Sequence, residues 1–166
     1  MSDRPLFSFP NPVNEKAARS VAAGVVVLAV AALISGSAWV ALVMAVGFAL
    51  RVASGPRFSP LGRLAAQVIA PRLGEAILVP GPPKRFAQTV GLAFTTGATV
   101  AGFAGLTGVF TGLLLVLVVF AALESVVGFC AGCWVFGQLM RLGVIPEETC
   151  EACNDITLRR RDLAAA

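Results

Sequence analysis

The residues whose type and spacing hold chemistry are four cysteines, arranged as Cys130-Ala-Gly-Cys133 and Cys150-Glu-Ala-Cys153 with sixteen residues between the pairs. A CxxC pair near a helix end carries a thiolate of lowered pKa and cycles between dithiol and disulfide. Two such pairs at this separation also match a zinc ribbon, in which four thiolates surround the metal as a tetrahedron. A third reading is inert packing, since buried cysteine is commonly a small hydrophobe. The chain contains no histidine, which excludes Cys–His nucleophilic catalysis and His-ligated metal sites. Three readings therefore stand at this point. The four cysteines form a thiol relay without a cofactor, hold zinc, or do neither. Glu124 is the one carboxylate inside an apolar stretch, and such a residue is either functional or a turn below an interface.

The elements that must position these groups follow from composition. Hydrophobic residues make up 57% of the 166 positions and charged residues 13%, and the mean hydropathy is +0.85. A soluble domain usually has about a quarter of its residues charged. The apolar residues lie in two long blocks, Ser20 to Leu50 and Phe86 to Phe136. Each block exceeds the roughly 17–25 residues of one membrane span and breaks once, at Ser35-Gly36-Ser37 and near Gly105-Leu106-Thr107-Gly108. The expected fold is an all-α membrane protein of four transmembrane helices in two hairpins, about 16–34, 38–53, 86–104 and 108–128 or longer. A single long tilted helix is the alternative for the first block. Residues 1–15 precede the bundle, and residues 143–166 form a cysteine-containing tail with a short helix.

Orientation follows from charge. Arg4, Lys16 and Arg19 precede the first span. Arg51, Arg57, Arg63, Arg72, Lys84 and Arg85 lie between the second and third, and Arg141 and Arg159 to Arg161 follow the fourth. All fall on one face of the four-span arrangement, and Lys and Arg are retained in the cytoplasm. Both termini and all four cysteines are therefore expected inside, where structural disulfides are rare. The net charge of +4 then reports topology, and nucleic-acid binding, which needs a solvated basic surface, is excluded. A secretory signal is set aside because no exported domain follows. Arg19 and Arg51 are expected to snorkel to the headgroups and Trp39 to anchor an interface.

Between the hairpins, Ser59 and Pro60 open a short amphipathic helix at about 59–70, either at the cytoplasmic interface or packed under the bundle. Pro80-Gly81-Pro82-Pro83 reads as a stiff linker. Gly97, Ala101 and Gly105 recur at a spacing that lets helices approach closely, within the bundle or in a homo-oligomer. Gln88, Thr95 and Thr99 can hydrogen-bond across helices. If the fourth helix runs on through Cys133 to Leu142, rising about 1.5 Å per residue, the chain passes well beyond Cys133. Cys150 and Cys153, one turn apart on a helix begun by Pro146, then stop short of the first pair. A closed zinc site requires the helix to end early or a second subunit. The openings of the two hairpins, Lys16-Ala-Ala-Arg and Lys84-Arg-Phe-Ala, suggest a faint duplication.

Four segments, Pro10-Asn-Pro-Val-Asn-Glu15, Gly55-Pro-Arg-Phe58, Pro83-Lys-Arg-Phe-Ala-Gln88 and Gly128-Phe-Cys-Ala-Gly-Cys133, together resemble a bacterial membrane family called domain of unknown function 4395. Lys84 stands where the family pattern has proline, and Trp134 where it has a more polar residue. The resemblance implies a multi-span protein of the bacterial cytoplasmic (inner) membrane, working beside thioredoxin-like or rhodanese-type sulfurtransferase proteins. The leading expectation is a membrane thiol-redox or sulfur-relay protein. Cys130 and Cys133 are its primary pair, Cys150 and Cys153 deliver or resolve, and Glu124 is a candidate intramembrane carboxylate. A zinc-bearing scaffold or a small transporter of a sulfur species is the alternative.

Overall fold

The computed structural model describes residues 9–146 and residue 149. In chain order the elements are β1 (Val13–Asn14), α1 (Glu15–Ser35), α2 (Ala38–Ser54), α3 (residues 60–72), β2 (Leu78–Val79), α4 (Gly81–Phe103), α5 (Thr107–Val127) and α6 (Ala131–Arg141). Among the described residues the fold is helical apart from β1 and β2. These pair antiparallel, with Val13 opposite Val79 and Asn14 opposite Leu78. The helices α1, α2, α4 and α5 occupy the four apolar stretches. Two of them, Glu15–Ser35 and Thr107–Val127, are long and apolar enough to cross a membrane, and Ala38–Ser54 is apolar but shorter.

The ladder was not foreseen, and it sets the site's geometry. It ties together the starts of α1 and α4, two helices far apart in sequence. Asn14 caps α1 by accepting the Lys16 N–H at 3.0 Å, the Glu15 N–H donates to the Ile77 carbonyl at 2.7 Å, and Asn11 accepts the Gly81 N–H at 3.0 Å. The expected linker at residues 80–83 is instead the first turn of α4. Proline is tolerated there because the first helical N–H groups have no partner within the helix. The third long helix therefore begins five residues earlier than expected, which brings Lys84 inside it.

Packing between the long helices uses small side chains. Ala29, Ala32, Ala41 and Ala98 are fully buried around Leu114, and Gly91 receives the ring of Phe48 from α2. Ala98, Ala101 and Gly102 are thus taken up within the bundle. Thr95 and Thr99 do not bond across helices. Their hydroxyls donate back along α4 to the carbonyls of Gly91 and Thr95 at 2.8 and 2.7 Å. Outward faces are apolar on all four helices, where Ile34, Val43, Val100 and Val119 are exposed.

Helix α3 starts as its sequence indicates, with Ser59 accepting the Gly62 N–H. It widens into a π-helical turn over Ala65–Ile69. That widening lets the chain run past Pro71, whose ring would meet a carbonyl of a regular α-helix. Leu61 reaches Gly24 of α1 and Ala65 is buried, while Leu64 and Val68 are exposed. The helix therefore packs under the bundle with one side and keeps an apolar side outward.

Candidate thiol site

Two arginines expected to reach outward turn inward and fix the cysteine end of the bundle. The Arg19 guanidinium donates to the carbonyls of Ser125 and Val126, the nearer at 2.8 Å. This satisfies carbonyls that end α5 and sets a cation at the negative end of its dipole. Arg51 is buried, stacked 4.3 Å from the Phe48 ring centroid, and donates to Gln88 Oε1 at 2.8 Å and Ser59 Oγ at 3.1 Å. A guanidinium offers five donors in a rigid fork, so burying it with oxygen partners costs less than snorkelling arguments assume.

Helix α5 does not run through the cysteines. Gly128 takes φ 79°, the left-handed region that L-residues other than glycine rarely adopt, and the helix stops there. Cys130 is extended, and α6 starts afresh at Ala131 with Cys130 as its N-cap. Cys130 Sγ accepts the Cys133 N–H at 3.3 Å, and the two Sγ atoms lie 2.7 Å apart. Gly132, between the cysteines, is equally required. A Cβ there would sit 2.6 Å from Ala87 Cβ and 2.7 Å from Ala87 Cα on α4. Close contact at Gly132 lays the start of α6 across the first turns of α4. Phe136 secures it against Phe86, with ring centroids 5.7 Å apart.

Beneath the pair, Lys84 Nζ meets Glu124 Oε1 at 2.9 Å, and the two side chains are only 9% and 15% exposed. A cavity of about 320 Å³ at this end of the bundle is bordered by Glu15, Lys84, Cys130 and Cys133. A second, apolar cavity of about 250 Å³ lies deeper between the helices and ends on Glu124 and Cys130. Cys130 borders both cavities, and Cys133 borders only the first.

The two thiols are unequal. The hydrogen bond from the Cys133 thiol holds Cys130 below the ordinary thiol range, against burial and helped by the nearby Lys84 ammonium. The same hydrogen bond pushes Cys133 far up, and burial adds to it. The pair therefore favours negative charge on Cys130 Sγ and keeps the proton on Cys133 Sγ.

Of the residues singled out in the sequence, Glu124, Cys130 and Cys133 come together. Cys150 and Cys153, and the short tail helix expected around them, lie outside the described residues. Among the described residues no three of Cys, Asp or Glu gather as a metal-ligand set. Lys84 was read as a topology charge and as part of a hairpin-opening motif, and its pairing was missed. A signal existed: Lys84 lies 21 residues before the turn glycine Gly105 and Glu124 lies 19 after it. In an antiparallel hairpin those two positions fall at nearly the same depth.

Fold and site together define a bundle of apolar helices with an asymmetric cysteine pair and a buried ion pair at the end where its basic residues gather. Residues 13–141 match the family described as Domain of unknown function (DUF4395), and the chain belongs to that family. The match takes in Lys84, Glu124, Cys130 and Cys133 and stops short of Cys150 and Cys153. No curated protein and no solved structure matches the chain significantly.

Proposed function

We propose that the chain is a four-span membrane thiol oxidoreductase whose Cys130–Cys133 pair exchanges electrons at the cytoplasmic face with a thioredoxin-like or sulfurtransferase protein. Four antiparallel helices with aliphatic outward faces suit lipid, because soluble monomers rarely expose large apolar patches. Contacts from Arg19, Arg51 and Lys84 join the helix ends that bear the basic residues. The turns at the other end carry no Lys or Arg, the asymmetry expected of a protein with its basic end inside. Trp39 at that far end, exposed and edge-on to Phe103 at 5.1 Å, suits the opposite interface.

The observation that carries the chemical reading is the pair of unequal sulfurs at 2.7 Å over Lys84. In the reduced state the Cys130 thiolate attacks one sulfur of a partner disulfide. A mixed disulfide forms, and the partner's other sulfur leaves as a thiolate. Cys133 then attacks Cys130 Sγ, the internal disulfide forms, and the partner departs as a dithiol, one sulfur carrying the Cys133 proton and the other taking a proton from solvent. The reverse sequence reduces the pair. The larger, solvent-side cavity admits the partner because both sulfurs border it.

The test is thiol exchange of the purified full chain with an aromatic disulfide, alongside zinc analysis. Expected are rapid oxidation of the pair, its loss in Cys130→Ser, and a trapped mixed disulfide in Cys133→Ser. One tightly held zinc per chain with thiols that resist oxidation would overturn the reading. Topology is tested in intact cells with a membrane-impermeant thiol reagent, which must leave Cys130 and Cys133 unlabelled until the cells are opened.

A further inference from the structure

The geometry points to a second electron carrier for this pair: a lipid-soluble quinone, bound in the apolar cavity with its ring against Cys130 and Glu124. The inference rests on the thiol-exchange reading above and adds where the electrons go. The cavity extends along α5 from Glu124 to Leu117, about 10 Å at 1.5 Å per residue. At about 250 Å³ it is slightly smaller than a drug-sized pocket. That suits one substituted ring with its tail trailing out. Phe48 and Phe94 border it and add aromatic surface to its wall.

Three features choose a quinone over an ordinary lipid chain. First, Val90, Phe120 and Val135 border the cavity and are exposed, so it opens sideways among apolar side chains, the route of a ligand dissolved in the bilayer. Second, its inner end is chemically active. It carries the nucleophilic sulfur and a carboxylate paired to an ammonium, none of which an acyl chain can use. Third, the two cysteines face different spaces. Cys133 borders only the solvent-side cavity, where a protein partner docks, and Cys130 borders both. A pair that takes electrons from one side and delivers them on the other needs this arrangement.

The chemistry balances. The Cys130 thiolate adds to a ring carbon and forms a C–S bond. The ring's electron pair moves to a carbonyl oxygen, which takes a proton from Lys84 through Glu124. Cys133 then attacks Cys130 Sγ. The S–S bond forms, the C–S bond breaks with its electrons returning to the ring, and the second oxygen takes the Cys133 proton. One dithiol and one quinone give one disulfide and one hydroquinone, a transfer of two electrons and two protons. Lys84 regains its proton when a partner dithiol next reduces the pair.

The experiment uses the full chain in lipid nanodiscs, reduced, freed of reductant and mixed anaerobically with a short-tailed ubiquinone. Expected is one hydroquinone per chain with a disulfide mapped to Cys130 and Cys133, at least tenfold faster than in Cys130→Ser. Ala22→Leu and Ala121→Leu, which fill the cavity from α1 and α5, should slow quinone reduction at least tenfold. Exchange with an aromatic disulfide should stay within twofold. If neither variant folds, a photoreactive quinone on the unaltered chain must label residues that line this cavity, Phe48, Cys130 and Val135 among them, and be displaced by excess ubiquinone; labelling elsewhere overturns the site. Quinone reduction that ignores the cavity variants overturns it as well. A pair that exchanges with disulfides but is inert to quinone overturns this inference and leaves the thiol-exchange reading in place. A pair inert to both removes that reading itself.

Discussion

Replacing Lys84 by methionine keeps most of the side chain's length and removes its charge. The Glu124 carboxylate is left 15% exposed without its cationic partner. At the observed 2.9 Å separation and an effective dielectric of about 20, the Coulomb attraction lost is about 6 kcal/mol. Desolvation of the two charges in the native protein offsets part of it. Removing one partner of a buried pair costs about 3–5 kcal/mol. The lower end applies here because Lys84 borders a cavity open to solvent. Lys84→Met and Glu124→Leu should therefore each cost about 3 kcal/mol, and the double variant about 1 kcal/mol, since an apolar replacement for both charges is often close to neutral. Reversible unfolding of the detergent-solubilised chain measures all four proteins of the cycle. Single costs that add up to the double within about 0.5 kcal/mol would mean that the two groups act independently, and the ion pair would not be what joins α4 to α5 at this end. A second readout separates a chemical role from a structural one. The wild-type Cys130 alkylation rate should rise with pH through a midpoint below the ordinary thiol value of about 8.5, because its thiolate is stabilised by Cys133 and Lys84. Lys84→Met withdraws one of those stabilising groups, so the midpoint moves up and alkylation at pH 7 slows. An unchanged midpoint in a folded Lys84→Met variant would remove the ammonium from the site's chemistry.

Further expectations follow from single contacts. Gly132→Ala places a methyl group against the Ala87 backbone and should lower stability by about 1–3 kcal/mol as an overpacking change, with slower closure of the Cys130–Cys133 disulfide on oxidant titration. At pH 7, brief treatment with iodoacetamide should modify Cys130 well before Cys133, read by peptide mass spectrometry. Equal modification would contradict the asymmetry of the pair. Arg51→Lys keeps the charge but loses the fork that reaches Gln88 and Ser59. It should destabilise by more than about 1 kcal/mol in the same unfolding assay, where a snorkelling arginine would tolerate the change.

The four long helices were legible because hydrophobic blocks and their Ser-Gly-Ser and Gly-Leu-Thr-Gly interruptions are local signals. Ser59 and Pro60 announced the start of α3 for the same reason. What was not legible depended on distant partners. Gly81-Pro82-Pro83 looks like a linker until β2, paired to β1, delivers the chain to the start of a helix. Arg51 looks like a snorkelling residue until Ser59 and Gln88 stand within hydrogen-bond reach. The fourth span was expected to end near residue 128 or to run on; the break that makes the site falls at the earlier limit, at Gly128, and nothing local separates that glycine from Gly132 or Gly137 as the place of the turn. Only the tertiary structure shows that Gly128 turns the chain, Gly132 lets α6 meet α4, and Gly137 has no atom near enough to exclude a side chain. The division of labour has a chemical consequence. Had the helix continued through Gly128, its own carbonyls would have occupied the amide N–H groups of the Cys130-Ala-Gly-Cys133 turn. Because it stops, those groups open a new helix, and the Cys133 N–H is free to donate to Cys130 Sγ. The geometry of the pair is thus set at Gly128, two residues before the first sulfur.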